Sequence, residues 1–409
     1  MMTLYEERDV TMSNVNPGLE RRLATELGEM KENGVHKKLL HIMGRQAPVV
    51  DIDGLGETIN MCSNNYLGLC DEPSVIEAVK EGADKYGAGT SSVRFICGTF
   101  DIHRELEARI ADFLETPASL TYTSAWNANE GLFAPLLGPE DALISDRLNH
   151  ACIIDGIRLC KARRFIYDHM DMDSLRGALE SSREARHRLV ITDGIFSMEG
   201  EIAPLPEIRE LCDRYDAIMA VDDSHATGVL GDTGRGTPEH WGMHGEVDIV
   251  TSTLGKALGG MAGGFTASSD AVIDYLLQAS RTQLFTNALP CHSAAGALAA
   301  IDHLEEHPEL VAKLRDNTEY YREGLIELGY KPIPGGTPIV PVIIGRTADA
   351  IRLSRELLRE GVFVIGFGYP VVPRGEARIR CQLSAAHERE HIDDALAALK
   401  KVGRRLQLI

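Results

Sequence analysis

One lysine, Lys256, sits in the stretch TSTLGKALGG (251–260) among glycines, small residues and hydroxyls. Nothing bulky stands beside it in sequence to cover its amine. A Walker-type phosphate loop is excluded. That motif needs a glycine five residues before the GK glycine and Ser or Thr after the lysine, and here those positions hold Val250 and Ala257. The other chemistry open to a single uncovered lysine is a Schiff base with a carbonyl compound. An ordinary surface lysine at a strand end is the plain alternative.

Four further clusters carry the parts that such chemistry needs. In VDDSHATG (221–228), Asp222 or Asp223 could face a protonated ring nitrogen, and His225 could reach a ring hydroxyl. Metal binding or solvation of a turn is the competing use of these residues. TYTSAWNAN (121–129) runs from a strand into a helix. The N–H groups at a helix N-terminus bind phosphate, or Ser124 serves only as an N-cap. Thr253, three residues before the lysine, could add a hydroxyl to the same phosphate. His150, in LNH (148–150), could stack on a ring, though a lone histidine is more often structural. ARIRCQ (377–382) sets Arg378 and Arg380 on one strand face, where either could clamp a carboxylate bidentately. Lysine, ring-facing acid, phosphate cradle and ring-face group together are what pyridoxal 5'-phosphate asks of a protein. No metal site is expected.

These residues must be positioned by something. Short apolar runs at 119–124, 142–146, 163–168, 188–194, 217–223 and 247–253 alternate with helical patterns such as 101–114 and 203–215. Apolar strands each followed by a helix predict a largely parallel α/β sheet, and ligands of such sheets bind at the strands' carboxyl ends. The polar clusters above fall at those ends. Leucines and Met30 at helical spacing predict an amphipathic helix over 18–42. A smaller α/β domain is expected from about 296. It would hold helices at 296–305, 308–328 and 347–360, and strands in TPIVPVIIG (337–345), VFVIGFGYPVV and ARIRCQLSAAH. The division expected is an N-terminal helical arm (1–60), a large cofactor-binding domain (61–295) and a small C-terminal domain (296–409).

At 409 residues the chain can bury a large core. Its net charge of −19, from 42 basic and 61 acidic residues, argues against a nucleic-acid partner. Eight scattered cysteines without a CxxC pair predict reduced thiols in a cytoplasmic protein. No run of about 18 apolar residues predicts a membrane span. The start, MMTLYEERDVTMSN, lacks the design of a signal peptide.

Over roughly residues 20–409 the chain resembles the α-oxoamine synthases, pyridoxal-phosphate enzymes of the aspartate-aminotransferase-like fold (fold type I). SNNYLGL, GTSSVRFICGT, LNHACIIDGIRLCKA, TDGIFSMEGEIAPL, VDDSHATGVLG, TSTLGKALGG and YPVVPRGEARIRCQLSAAH carry the resemblance. ASLTYTS, NANEGLF and GFGYPVVPRGEARIR favour the glycine C-acetyltransferase branch. It implies condensation of glycine with acetyl-CoA to 2-amino-3-oxobutyrate and coenzyme A, or the reverse cleavage in threonine breakdown. It also implies that Lys256 holds the cofactor and later acts as base, that Asp222 faces the ring nitrogen and His225 the ring hydroxyl, and that His150 stacks on the ring. Ser197 would lie beside the ring hydroxyl or the substrate carboxylate. The backbone of Ser124, Ala125 and Trp126, with Thr253, would cradle the phosphate. Phe285 and Thr286 of a second copy would complete that cradle, making the homodimer obligatory. Asn64 and Arg380, in preference to Arg378, would hold the glycine carboxylate. Ala125 and Trp126 depart from the Cys and Phe common in relatives. The alternatives are a sister synthase that takes another acyl-CoA or amino acid and loses CO₂, a plain aminotransferase, and a non-catalytic scaffolding subunit. The last is expected to lack the lysine.

Overall fold

The computed structural model describes residues 16–33, 35–369 and 371–409. Residues 1–15 of the expected arm, including the polar start, and Pro370 of YPVVPRGEARIR lie outside the described residues.

Among the described residues there are thirteen strands. They are β1 (Val49–Ile52), β2 (Gly56–Asn60), β3 (Ala118–Tyr122), β4 (Ala142–Asp146), β5 (Arg163–Tyr167), β6 (Arg188–Asp193), β7 (Ile218–Asp222), β8 (Ile249–Thr253), β9 (Gly264–Ser268), β10 (Ile339–Gly345), β11 (Val362–Phe363), β12 (Ile365–Phe367) and β13 (Ala377–Gln382). The central sheet has the order β3-β9-β8-β7-β6-β4-β5. The run from β8 to β5 is parallel, and β9 pairs antiparallel with both β3 and β8. This is the mainly parallel α/β sheet expected.

The residues explain why these strands sit in the middle. β4 and β6 are buried along their whole length, so they read as continuous apolar runs rather than as alternation. Alternation still decides which face each side chain serves. Leu143, Leu189, Ile191, Ala220 and Ile249 pack into a core on one face with Phe133 and Ile153. Their neighbours Ile144, Val190, Met219, Val221 and Val250 pack on the other face with Leu175 and Phe196. A third core joins Leu254 and Phe265 to Val340, Ile379 and Leu399 of the C-terminal segment.

The C-terminal segment holds the antiparallel sheet β10-β13-β12 and helices Glu309–Glu327, Thr347–Arg359 and Arg389–Arg405. The helix Cys291–Glu306 runs across position 296, so the passage into this part is helical. Two expectations differ near the N-terminus. The helix there spans Pro17–Glu32 and stops at the cap Asn33, ahead of Gly34, instead of continuing to 42. Asn-Gly is a helix-terminating pair. Residues 49–60, assigned to a helical arm, form β1 and β2, and β2 pairs in parallel with β11. β9 also went unforeseen. Among the described residues, no helix is long and apolar enough to cross a membrane.

Candidate active site

The carboxyl ends of β4, β6, β7 and β8 meet at one pocket. His150 follows β4, Asp193 ends β6, Asp222 ends β7 in register with Asp193, and Lys256 follows β8. Ala125, Trp126, Cys152, Ile195, Ser224 and His225 complete the lining. A larger cleft of about 340 Å³, lined by Leu230, His240 and Arg315, carries no lysine.

The Lys256 amine makes no hydrogen bond or ion pair among the described residues. Burial lowers its proton affinity, while Asp222 and Asp193 pull it back up. The two aspartates of VDDSH separate cleanly. Asp222 lines the pocket, and its Oδ2 accepts from Asn129 Nδ2 at 2.6 Å and its Oδ1 from the Ser224 N–H at 2.9 Å. Asp223 turns away and accepts from the Thr237 N–H at 3.0 Å. Burial pushes Asp223 up to about 7. His225 is held by the Tyr66 hydroxyl, 2.8 Å from Nδ1. Burial drives its proton affinity well down, with help from Lys256 and Arg380.

His150 caps the helix Ala151–Leu159, and its Nδ1 accepts from the Cys152 N–H at 3.3 Å. Trp126 meets the His150 ring edge-on, centroids 6.0 Å apart. Ser124 caps the helix Ala125–Leu136, its hydroxyl accepting from the Asn127 N–H at 3.1 Å and donating to Asn127 Oδ1 at 2.9 Å. That hydroxyl is committed, whereas the N–H groups of Ala125 and Trp126 belong to a first turn without intrahelical partners. Gly264 lets this helix end come close, since a Cβ there would stand 2.2 Å from the Ala125 nitrogen. Thr253 Oγ1 donates to the Gly263 carbonyl at 3.2 Å and accepts from the Gly255 N–H at 3.0 Å.

Arg378 and Arg380 point the same way along β13 but differ in commitment. Arg378 is 1% exposed and is used up by Glu376, Met198 and Glu199. Arg380 donates to the Ser197 carbonyl at 2.8 Å and to Gln382 Oε1 at 3.0 Å, and its buried Nε has no partner among the described residues. Asn64 Oδ1 accepts from Gln382 Nε2 at 2.6 Å. Asn64, Ser197 and Arg380 therefore form a group beside the pocket. Phe285 is 67% exposed and lies with Thr286 outside the pocket lining of this chain.

Three polar pocket residues, Asp193, Cys152 and Ser224, had no role from sequence, nor had the supporting Asn129, Tyr66 and Gln382. A signal existed for two of them. Asp193 ends an apolar run in TDGIF, and Gln382 continues the two-residue alternation of Arg378 and Arg380. Asp193 is 4% exposed, its Oδ2 accepts from the His150 N–H at 3.1 Å, and its Oδ1 has no partner among the described residues. The Ser224 hydroxyl likewise has none. Burial and the Asp222 charge raise Asp193 well above the usual carboxylate range. No three His, Cys, Asp or Glu among the described residues are placed to hold a metal. An unengaged lysine, a fixed carboxylate, open helix N–H groups and orphaned buried oxygens fit pyridoxal phosphate.

Comparison with known proteins agrees. Residues 56–399 match the family described as aminotransferase class I and II. The chain is 45% identical to 2-amino-3-ketobutyrate coenzyme A ligase of Escherichia coli K12, covering 95% of this chain and 98% of that one. It is 46% identical to 8-amino-7-oxononanoate synthase 1 of Bacillus velezensis, covering 95% and 98%. Serine palmitoyltransferase of S. paucimobilis, solved with a bound PLP–myriocin adduct, superposes with a TM-score of 0.91 at 29% identity, covering 96% of this chain and 99% of that one. The chain belongs to the aminotransferase class I and II family, within its α-oxoamine synthases, and has the fold-type-I architecture of pyridoxal-phosphate enzymes.

Proposed function

We propose that the protein condenses glycine with acetyl-CoA to give 2-amino-3-oxobutyrate and coenzyme A, or runs the reverse cleavage. The observation that carries this is Lys256, free of any bonded partner, in a pocket shared with Asp222, Asp193 and His225. Pyridoxal phosphate, when bound, supplies an electron sink for the charge left when a Cα proton is removed.

The chain's own residues do the rest. Lys256 would hold the cofactor and would serve as the base for the Cα proton. Its lowered proton affinity leaves more of it as free amine near neutral pH. Asp222 would face the ring nitrogen, His225 the ring hydroxyl and His150 the ring. The N–H groups of Ala125 and Trp126, beyond the Ser124 cap, and the Thr253 hydroxyl receive the phosphate. Asn64 and Arg380 hold the glycine carboxylate beside Ser197. Two pockets, one for the amino acid and one for the thioester, must converge on the same carbon.

Phe285 and Thr286, contributed by a second copy of the chain, complete the phosphate site. Exposed Phe95, Ile96 and Phe285 support a subunit contact there, as a homodimer. The division of labour is an arm (1–60), a cofactor-holding domain (61–295) and a small domain (296–409). Eight free cysteines suit the reducing cytoplasm.

Similarity to 8-amino-7-oxononanoate synthase supports one second reading, a sister synthase with another acyl group and loss of CO₂. The test follows coenzyme A release with glycine and acetyl-, propionyl-, succinyl- or longer acyl-CoA, with the product weighed by mass spectrometry. Release with acetyl-CoA and a product retaining the carboxylate supports the proposal. Release only with another thioester, or loss of CO₂, moves the protein to the sister activity.

A further inference from the structure

Gln382 is the last residue of β13 and is 1% exposed. Its side chain has four hydrogen-bonding capacities, of which three are engaged with residues of the site. Nε2 donates to Asn64 Oδ1 at 2.6 Å and to the Tyr66 hydroxyl at 2.8 Å. Oε1 accepts from Arg380 Nη2 at 3.0 Å. Its backbone N–H donates to the Met61 carbonyl at 2.8 Å, tying β13 to the SNNYLGL loop.

The direction of every bond follows from the arginine. A guanidinium only donates, so Oε1 must face Arg380 and Nε2 must face Asn64 and Tyr66. Asn64 then presents its oxygen to Gln382, which leaves its own N–H groups for another acceptor. Tyr66 accepts from Gln382, so its single proton goes to His225 Nδ1, 2.8 Å away. Neutral His225 must therefore carry its proton on Nε2. Lys256 and Arg380 place positive charge around that ring, and Asp222 lines the same pocket.

We propose that Gln382 is the positioning residue that couples the two halves of the site. It aims Asn64 and Arg380 at the substrate carboxylate and, through Tyr66, fixes His225 as a proton donor from Nε2 toward the cofactor hydroxyl. This rests on the function proposed above. Occupation of the carboxylate site is thereby felt at the ring through a chain of three side chains.

The test uses the cofactor-loaded full-length enzyme. The cofactor's visible absorption is titrated against pH, and glycine is titrated by the absorption change it causes. Wild type, Gln382→Leu, Tyr66→Phe and the double variant are compared. Gln382→Leu should weaken glycine binding about tenfold, because Arg380 and Asn64 lose a buried partner. It should also shift the pH midpoint upward, because His225 is no longer held as a donor. Tyr66→Phe should shift the midpoint the same way, by about tenfold in proton affinity, with glycine binding changed less than about threefold. In the Tyr66→Phe background, Gln382→Leu should move the midpoint no further, because the two act in series. A wild-type midpoint in Gln382→Leu, or midpoint shifts that add, would overturn the proposal. So would a lowered melting temperature with no midpoint change, the mark of a merely structural glutamine. If Gln382→Leu does not fold, Gln382→Met keeps length and packing and faces the same criteria. A wild type that binds no pyridoxal phosphate, or does not respond to glycine, would overturn the proposed function together with this coupling. A responsive wild type with an unaffected Gln382 variant would overturn the coupling alone.

Discussion

Asn129 offers a sharp test of how the Asp222 carboxylate is held toward the cofactor site. It is fully buried, and its Nδ2 donates to Asp222 Oδ2 at 2.6 Å and to Cys152 Sγ at 3.2 Å. Its Oδ1 is fixed from behind by the Thr251 hydroxyl at 2.8 Å. Among the described residues the Asp222 carboxylate has one other donor, the Ser224 N–H. A buried bond from a neutral donor to a carboxylate contributes about 2 kcal/mol. Losing it removes one of the two donors that fix the carboxylate meant to face the ring nitrogen, so cofactor affinity and turnover should both fall by about ten- to thirtyfold. Two variants separate this from packing. Asn129→Ala removes the donor and leaves a cavity. Asn129→Asp is isosteric but places a second carboxylate against Asp222. Spectroscopic titration of pyridoxal phosphate onto each protein gives the dissociation constants. Weakening by Asn129→Asp at least equal to that by Asn129→Ala is expected. If Asn129→Asp binds the cofactor like wild type while Asn129→Ala does not, packing is the cause and the electrostatic reasoning fails.

Three other outcomes follow from particular residues. Arg380→Lys should raise the glycine KM about ten- to a hundredfold, since a point charge replaces a planar fork. Arg378→Met should instead cost about 3 kcal/mol of stability by stranding part-buried Glu199, with glycine KM nearly unchanged; denaturant melts and kinetics check both, and the opposite pattern would refute the assignment. Gly264→Ala should push the helix end at Ala125 back and erase part of the preference for pyridoxal phosphate over phosphate-free pyridoxal, measured by competitive binding. Asp223 holds its proton more tightly folded than unfolded, with a value of about 7 against an ordinary 3.8. Its contribution to stability is therefore full near pH 4 and lost as pH rises through about 7, by at most about 4 kcal/mol. Melting temperatures of wild type and Asp223→Asn should diverge across that window, and a constant difference from pH 4 to 8 would exclude the effect.

The parallel strands were legible because strands buried on both faces write themselves as unbroken apolar runs with polar ends. Ile144, Val190 and Val221 had no competing partners in sequence, so their runs were found within a residue or two. β9 escaped because GFTAS carries one large apolar residue and gains its place from pairing on both sides. β11 is two residues long and exists only through its parallel pairing with β2. In the site, Lys256, Asp222, His225 and His150 were readable as residue types at strand ends. Whether Asp222 or Asp223 faces the pocket was not, because the helix end at Thr237 that claims Asp223 lies fourteen residues on. Arg378 and Arg380 share a strand face, and only the distant Met198 and Glu199 reveal that one of them is already spent.

The antiparallel step from β8 to β9 bears on how the protein comes to be active. Lys256 lies in the connection 254–263, whose two ends stand opposite each other at Thr253 and Gly264 and are joined by the Leu254 N–H donating to the Gly263 carbonyl at 3.1 Å. Such a short closure is entropically cheap and can form early. Asp193 and Asp222 reach the lysine only through parallel crossovers that must bring together segments far apart in the chain. A nascent chain would thus carry the lysine loop first as a hydrated, fully protonated amine. Its softened basicity appears only when the last crossover docks, so nucleophilic reactivity at Lys256 reports completed assembly of the sheet.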